Sequence, residues 1–516
     1  MNAARNNMAM LDVLLDGFVN VTGAYGVKAL GDTSTAVSGV CLDSRLLVAG
    51  DVYLAMDGAS AHGMQFISVA LNNGAVAVVV DDEGIAAHQS ALEEAVAARI
   101  PVLHVPDLKR HAGAIAARFY NDPSDELKVV AITGTDGKTS VCRFIADALN
   151  GAGTACGYIG TLGWGIDSLT ETQLTTPDAV SLQRMMAKLR DNGATVVALE
   201  ASSHGLAEGR LDAVHIDVAV LTNFGRDHLD YHRDLNAYKN AKAQLFSWPD
   251  VRFIVVNGQD ELGIELAQRS DSKNIVFFAK QGKADVSLSV QPFIRIHADA
   301  IELNSQGVRF GLIDNGERFE QNLRLMGSFN VENVLACHGV LRALGQAAND
   351  ASTSLNHIAA VPGRIEQFSA ANKPTAIVDY AHTPQALAAV IAAVRHHCVG
   401  DLWVVFGCGG DRDAGKRAPM GRAAEQADHV VITDDNPRTE NSSDILDQIV
   451  AGMTSPERAI VIADRANAIE HALSQAARND LVLIAGKGHE AYQIVGTEKR
   501  EFSDRDAVQR FMQEAV

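Results

Sequence analysis

Residues Val129–Ser140 read VVAITGTDGKTS: a run of five apolar and β-branched residues, a glycine-rich turn, and Lys-Thr-Ser heading an amphipathic segment, Val141–Leu149. A continuous apolar run of this length suits a strand buried on both faces of a parallel sheet. Gly134 and Gly137 let backbone N–H groups of the turn curl round phosphate oxygens, and the helix that follows aims its positive end at the same point. Gly134, Thr135, Asp136 and Gly137 form the cradle, Lys138 is placed for the outer phosphates, and Thr139 or Ser140 for Mg²⁺. Ile132 stands where the common G-x4-G-K pattern has its first glycine. A bare glycine turn with a surface lysine spells the same letters, but strand, loop and helix in this order point to ATP binding.

Outward from this loop, Thr195–Glu200 (TVVALE), Asp217–Thr222 (DVAVLT) and Phe253–Asn257 (FIVVN) repeat the buried-strand pattern. A second series follows at Ala376–Asp379, Leu402–Gly407, His429–Thr433, Ala459–Ala463 and Leu481–Ala485. Helical stretches alternate with these runs, which predicts an α/β architecture with parallel sheets. Between the two series, residues 284–326 alternate in polarity and predict antiparallel strands. The first hundred residues form their own α/β block, ending near Pro101–Pro106. Domains are therefore expected at 1–106, 107–362 and 363–516, in line with 516 residues at roughly 150 per domain.

Composition narrows the function. The chain is 47% hydrophobic and 21% charged, as a globular protein is, with 44 basic against 63 acidic residues and a net charge of −19. That balance argues against a nucleic-acid or membrane-surface binder, which carries a basic face. Six cysteines with no CxxC spacing read as reduced thiols, neither a disulfide framework nor a zinc site. The opening MNAARNNMAMLDVLLDGF is broken by Asp12 and Asp16 and is not expected to be a signal peptide. No apolar run approaches the ~20 residues of a membrane span, so a cytoplasmic protein is expected.

Two further clusters sit at predicted strand ends, where ligands collect in open α/β sheets. Glu200 begins EASSHGL and is placed as a second metal ligand beside Thr139, although a strand-end carboxylate alone is commonly just solvated. The next strand runs into TNFGRDHLDYH, where His228 and His232 are four apart. Leu229 occupies the position at which a zinc protease needs glutamate, which disfavours that chemistry.

Taken together, GTDGKTS, EASSHGL, TNFGRDHLDYH, YKNAKAQLF, MGSFNVEN, DYAHTP and GCGGDRDAGKR, with LDSR at Leu42–Arg45, resemble the Mur ligases in content and order over nearly the whole chain. The likeness is strongest to the members that add the third amino acid to UDP-N-acetylmuramoyl-L-alanyl-D-glutamate. Asp435-Asn436-Pro437-Arg438 resembles the motif by which such enzymes recognise meso-diaminopimelate. The resemblance implies an amino-terminal UDP-sugar domain, a central ATPase-like domain and a carboxy-terminal Rossmann-like domain. It implies ATP-dependent amide formation in peptidoglycan-precursor synthesis: the D-glutamate γ-carboxylate is phosphorylated, and the diaminopimelate amine attacks the acyl phosphate. ATP and Mg²⁺ are the implied cofactors, small molecules the partners, and a monomer the expected state. Hinges near 106 and 362 are expected, because substrates held on different domains must meet at one phosphoryl group.

The resemblance also carries roles to matching residues. Lys138 would hold the γ-phosphate, Thr139 and Glu200 one Mg²⁺, and Glu200 and His228 a second. Lys242 matches a lysine carried as a carbamate (N6-carboxylysine), which turns an ammonium into a carboxylate suited to Mg²⁺; read alone, it is a helix-surface lysine. Asn330, Asn333, Asp379 and His382 match nucleotide-site positions. Leu42 and Ser44 match the uridine site, and Thr175, Thr176, Ser202 and Arg210 surround the muramoyl dipeptide. The substrate motifs depart from their relatives at Glu208, where a Gln is usual, at Leu174, where an Asn is usual, and at Ala59-Ser60-Ala61, in place of His-Gln-Ala. Arg412, Asp435, Asn436, Pro437, Arg438, Gly486 and Glu490 match the diaminopimelate pocket. Arg438 would grip the distal carboxylate and Glu490 the distal ammonium. L-lysine lacks that carboxylate and would leave Arg438 unpaired, which argues against a lysine-adding ligase. A folylpolyglutamate synthetase would share the phosphate loop and carbamate lysine but not LDSR or DNPR. A non-catalytic nucleotide-binding regulator would not need Glu200, His228 and Lys242 together.

Overall fold

The computed structural model describes residues 8–18, 34–58, 61–82, 85–172, 174–270, 274–280 and 293–513. By contact the chain forms two compact units, Met1–Val276 with Val286–Phe293, and Phe277–Asp285 with Ile294–Val516.

The first unit carries two parallel sheets. Strands β1 (Gly39–Cys41), β2 (Asp51–Ala55), β3 (Ala77–Val80) and β4 (Val102–His104) lie side by side in chain order. Their side chains alternate between two cores. Val40, Val52, Leu54 and Val79 pack against helix α1 (Leu108–Phe119), while Tyr53, Val78 and Val80 meet Ile67, Leu92 and Ala95 on the other face. This alternation is the two-residue period of a strand covered on both sides.

The larger sheet of the unit contains β5 (Lys128–Thr133), β6 (Cys156–Gly160), β7 (Val196–Glu200), β8 (Val218–Leu221) and β9 (Phe253–Asn257). Its order is β9-β8-β5-β7-β6, all parallel, with the short strand Gly163–Gly165 antiparallel beside β6. The runs VVAIT and FIVVN thus lie in strands as their composition predicts, whereas β6, with glycines at both 157 and 160, carries little β signal of its own. Helix α2 (Lys138–Gly151) starts directly at the phosphate loop and buries Val141, Phe144, Ile145, Ala148 and Leu149, the three-to-four spacing of one helical face.

The second unit opens with an antiparallel meander, β10 (Phe293–Asn304), β11 (Gly307–Asp314) and β12 (Glu317–Leu323), followed by helix α3 (Phe329–Ala343). The alternating stretch is antiparallel where described; residues 284–292 lie outside the described residues. A six-stranded sheet follows, made of β13 (Glu366–Phe368), β14 (Thr375–Asp379), β15 (Leu402–Phe406), β16 (His429–Ile432), β17 (Ala459–Val461) and β18 (Leu481–Ala485). Its order is β13-β14-β18-β15-β16-β17, parallel except for β13. One face packs Leu387, Ile391 and Met420, and the other Ala468, Ile469 and Leu473. Each fully buried Leu, Ile or Val on these faces contributes roughly 1.5–3 kcal/mol. A hairpin, β19 (Tyr492–Val495) and β20 (Glu498–Glu501), stands after β18.

Candidate active site

In the first unit the candidate residues gather at the carboxyl ends of β5, β7 and β8, the end at which a parallel sheet exposes its loops. Gly134 has φ +153°, and a β-carbon there would stand 1.8 Å from Thr222 Oγ1, so glycine is required for the loop to press against β8. Thr222 Oγ1 donates to the Asp136 carbonyl at 2.5 Å, Asn223 Oδ1 accepts from the Asp136 amide at 2.9 Å, and the Thr135 amide donates to the Asn223 carbonyl at 3.0 Å. Thr222 and Asn223 open the TNFGRDHLDYH motif without a role assigned from sequence, and together they set the shape of the loop. Lys138 Nζ donates to the carbonyls of Gly134 and Thr135 at 2.9 and 3.0 Å, folded over the cradle. Ser140 follows in the first turn of α2.

Glu200, at the end of β7, is fully buried. Its Oε2 accepts from Thr139 Oγ1 at 2.9 Å and Thr161 Oγ1 at 3.2 Å, and its Oε1 from Tyr158 Oη at 2.6 Å and the Thr161 amide at 2.9 Å. Burial and the Glu200 charge drive the Tyr158 phenol well above its usual pKa, so it stays a donor. Thr139 and Glu200 are therefore one oxygen-rich pair, hard donors of the kind Mg²⁺ takes, and the predicted pairing fits the ion. Thr175 Oγ1 lies 3.1 Å from Thr161 Oγ1, which ties it to the same network. Thr176 Oγ1 donates to the Glu200 carbonyl at 2.7 Å and accepts from the Ser202 amide at 2.9 Å.

Lys242 belongs to helix Leu235–Ala243 and is 1% exposed, far from the surface lysine that its helical setting suggests. Its Nζ donates to the Gly134 carbonyl at 2.5 Å and lies 4.4 Å from the centre of the Tyr238 ring. Burial, helped by the charge of Lys138, lowers its pKa to about 6. Lys242 is thus a neutral amine at neutral pH, the form that adds CO₂. His228 stands elsewhere in the cluster: its ring is 4.9 Å from His204 and 6.1 Å from Tyr238, and Nε2 is 3.3 Å from Asp227. Tyr238 joins the groups, since its hydroxyl is 3.2 Å from Thr135 Oγ1. Among the described residues, no three His, Cys, Asp or Glu side chains are grouped to hold a metal, so Thr139 and Glu200 are the pair that the fold brings together.

The remaining substrate positions of this unit are varied. Leu42 packs at the edge of the amino-terminal core, and buried Ser44 accepts from Asn73 Nδ2 through its carbonyl at 2.8 Å. Ala59 and Ser60 lie outside the described residues; the Ala61 carbonyl accepts from the Gly58 amide at 3.2 Å. Leu174 is exposed. Arg210 donates to the Thr176 carbonyl at 2.6 Å and forks Glu208.

In the second unit, Asn330 and Asn333 are buried in the first turns of α3, linked to each other at 2.9 Å, and Asn330 Nδ2 donates to the Met326 carbonyl at 2.8 Å. Asp379 ends β14; its carboxylate accepts from the amides of Ala381 at 2.7 Å and Ile365 at 2.8 Å, while burial raises its pKa. His382 Nδ1 is 2.9 Å from the Tyr380 carbonyl.

The DNPR segment follows β16. Arg438 has φ +52° and sends Nη1 to the Gly410 carbonyl at 2.8 Å, while its amide donates to the Ile494 carbonyl at 3.0 Å. The hairpin thereby locks the turn that carries Arg438. Pro437 is buried, the Asp435 carbonyl accepts from Gln493 Nε2 at 2.7 Å, and Asn436 Oδ1 accepts from the Ile494 amide at 2.9 Å. Asn436 Nδ2 lies 3.3 Å from Glu490 Oε2. Gly486 has φ +119° and lies against Asp435, where a β-carbon would come within 2.8 Å of Oδ2. Arg412 is exposed on the loop after β15. The sequence reading missed Lys487: it is 0% exposed, and its Nζ donates to Glu490 Oε2 at 2.9 Å and Asn436 Oδ1 at 3.3 Å. Its signal was a lysine between two glycines directly after the buried run LVLIA.

The chain is similar to known proteins along most of its length. Family models match in three segments: "Mur ligase family, catalytic domain" at residues 36–120, "Mur ligase middle domain" at 132–341, and "Mur ligase, glutamate ligase domain" at 363–488. A UDP-N-acetylmuramoyl-L-alanyl-D-glutamate--2,6-diaminopimelate ligase of Janthinobacterium sp. (strain Marseille) is 44% identical over 479 residues, covering 90% of this chain and 92% of its own. A protein of the same name from Alkalilimnicola ehrlichii is 42% identical over 506 residues, covering 97% and 98%. A solved structure titled as this same ligase superposes with a TM-score of 0.68 at 32% identity, over 98% of this chain and 99% of that one.

Proposed function

From the premise that the chain belongs to the Mur ligase family, we infer that it is an ATP-dependent ligase joining meso-2,6-diaminopimelate to UDP-N-acetylmuramoyl-L-alanyl-D-glutamate in peptidoglycan-precursor synthesis. The observation that carries this reading is full-length likeness to ligases of that name, in a chain whose phosphate loop holds Thr139 against a buried glutamate. The three domains are taken as 1–106, 107–362 and 363–516, and the enzyme as a cytoplasmic monomer. Among the described residues no helix is long and apolar enough to cross a membrane.

A carboxylate resists attack by an amine until one of its oxygens becomes a good leaving group, and ATP supplies that group by making the D-glutamate γ-carboxylate an acyl phosphate. Lys138, held over the loop carbonyls, turns to the γ-phosphate and balances charge on the transferring oxygens. Thr139 and Glu200 would hold one Mg²⁺ and Glu200 and His228 a second, with a carbamate on Lys242 as a further oxygen donor; metal bound there would neutralise charge on the phosphate oxygens. Thr161 and Tyr158 keep the Glu200 carboxylate aimed at Thr139. Asn330, Asn333, Asp379 and His382 contribute to the nucleotide site. Leu42, Ser44, Ala59, Ser60, Ala61, Leu174, Thr175, Thr176, Ser202, Glu208 and Arg210 line the UDP-sugar site. Arg412, Asp435, Asn436, Pro437, Arg438, Gly486 and Glu490 form the diaminopimelate pocket, where Arg438 takes the distal carboxylate. Lys487 holds the Glu490 carboxylate in place for the ammonium.

The test supplies ATP, Mg²⁺ and the UDP-sugar dipeptide with either meso-diaminopimelate or L-lysine, and follows phosphate and product. Release with diaminopimelate alone is expected. Preference for lysine would overturn the pocket, and release that depends on neither would overturn the ligase reading.

A further inference from the structure

Arg210, the cation assigned above to the anionic dipeptide, already holds an anion of its own. Its Nε and Nη2 donate to Glu208 Oε2 at 3.0 and 2.6 Å, and Nη1 donates to the Thr176 carbonyl at 2.6 Å. Three of its five N–H donors are thereby engaged. The other carboxylate oxygen of Glu208 accepts from Tyr231 Oη at 3.1 Å, in the segment that carries His228. Both side chains are reachable, Arg210 being 16% and Glu208 32% exposed. The contact is therefore open to exchange, unlike the fully buried Arg465–Asp504 pair in the second unit.

We propose that Glu208 is an internal stand-in for the substrate's carboxylate: it occupies Arg210 in the free enzyme and is displaced when the dipeptide's own carboxylate arrives. The inference rests on the ligase reading for the identity of that carboxylate. Glutamine at position 208 would leave Arg210 with its charge unmatched. With glutamate the pair is formally neutral, so an incoming polyanion meets no net attraction there and must compete for a fork already filled. Glu208 therefore sets the affinity for the UDP-sugar. Displacement also frees Tyr231, which couples substrate arrival to the His228 segment.

The experiment compares wild type with Glu208→Gln in two assays. In the first, phenylglyoxal modifies arginines of the intact protein without substrate, and mass spectrometry follows the Arg210 peptide. Faster modification of Arg210 in Glu208→Gln is expected; an equal or slower rate overturns the proposal. In the second, steady-state ligation is expected to show a KM for the UDP-sugar dipeptide about fivefold lower in Glu208→Gln, the worth of about 1 kcal/mol. That gain shrinks at high salt, while the KM for ATP is unchanged. A higher or unchanged KM for the UDP-sugar would mean that Glu208 merely positions Arg210, and would also overturn the proposal. Failure of the wild type to ligate defeats the ligase reading instead, and the labelling comparison still decides whether Glu208 masks Arg210.

Discussion

Lys242 Nζ lies 2.5 Å from the carbonyl oxygen of Gly134, so a lysine on a helix 108 residues downstream closes the floor of the phosphate loop. The pairing turns an unremarkable helical lysine into a buried, neutral amine against the nucleotide-binding turn.

Carbon dioxide adds to uncharged amines, so Lys242 is expected to form a carbamate at neutral pH. A new carbamate carbon resonance should follow addition of ¹³C-bicarbonate and be missing from Lys242→Arg, whose guanidinium stays protonated. Lys242→Arg should also lose ligation. An unchanged spectrum in the two proteins would remove the carbamate from the mechanism.

Lys138→Ala removes the cation assigned to the γ-phosphate and leaves the loop carbonyls free to bind water. A loss of at least about 100-fold in kcat is expected, the effect typical of deleting one charge-stabilising donor. Circular dichroism should show an intact fold. Wild-type turnover would contradict the role given to the loop.

Arg438→Ala should raise the KM for diaminopimelate by about 10- to 100-fold, as loss of a charge-assisted pair does. The KM for ATP should barely move. Equal damage to both would show that Arg438 supports the fold of the hairpin and not the amino acid.

Lys487→Met keeps the length of the buried stem but removes the charge that answers Glu490. About 1–3 kcal/mol of stability should be lost, since Glu490, 19% exposed, is left with Asn436 Nδ2 in place of a charged partner. Denaturant unfolding measures this loss. The KM for diaminopimelate should rise more than that for ATP, because Glu490 loses its anchor.

His338, fully buried on α3, has Nε2 3.0 Å from Asp314 Oδ2, and Arg342 approaches the same oxygen at 2.7 Å. Burial depresses the His338 pKa below its usual value, with Asp314 opposing and Arg342 assisting. The unfolded chain therefore binds the proton first as pH falls through about 6.5, and stability should drop from there down to the folded pKa. His338→Gln should flatten the unfolding midpoint over that range; an unchanged slope would place the acid sensitivity elsewhere.

The chain order of VVAIT, TVVALE, DVAVLT and FIVVN, each with an unbroken apolar centre, was enough to expect buried parallel strands with loops at their carboxyl ends, because a strand covered on both faces has no polar side to show. GTDGKTS likewise carried its chemistry in local spacing, since a glycine turn acts through residues adjacent in the chain, whereas DNPR reads locally as a turn and gains a role only through the resemblance. What sequence left open were the contacts made across the fold. Thr222 and Asn223 shaping the loop, Tyr158 feeding Glu200, and Lys487 under Glu490 have partners 3 to 89 residues away, and local sequence does not say which groups those partners are. Lys242 looked like a solvated lysine, and Glu208 like a misplaced charge beside an anionic substrate. Burial made the first a neutral amine, and Arg210 at 2.6 Å gave the second its counter-charge. The sequence by itself determined the apolar strands and the phosphate loop, both set by local pattern, and its motifs in order carried the resemblance that implies the chemistry. Only the tertiary structure decided protonation and charge pairing, which depend on how much water and which distant charge each group meets.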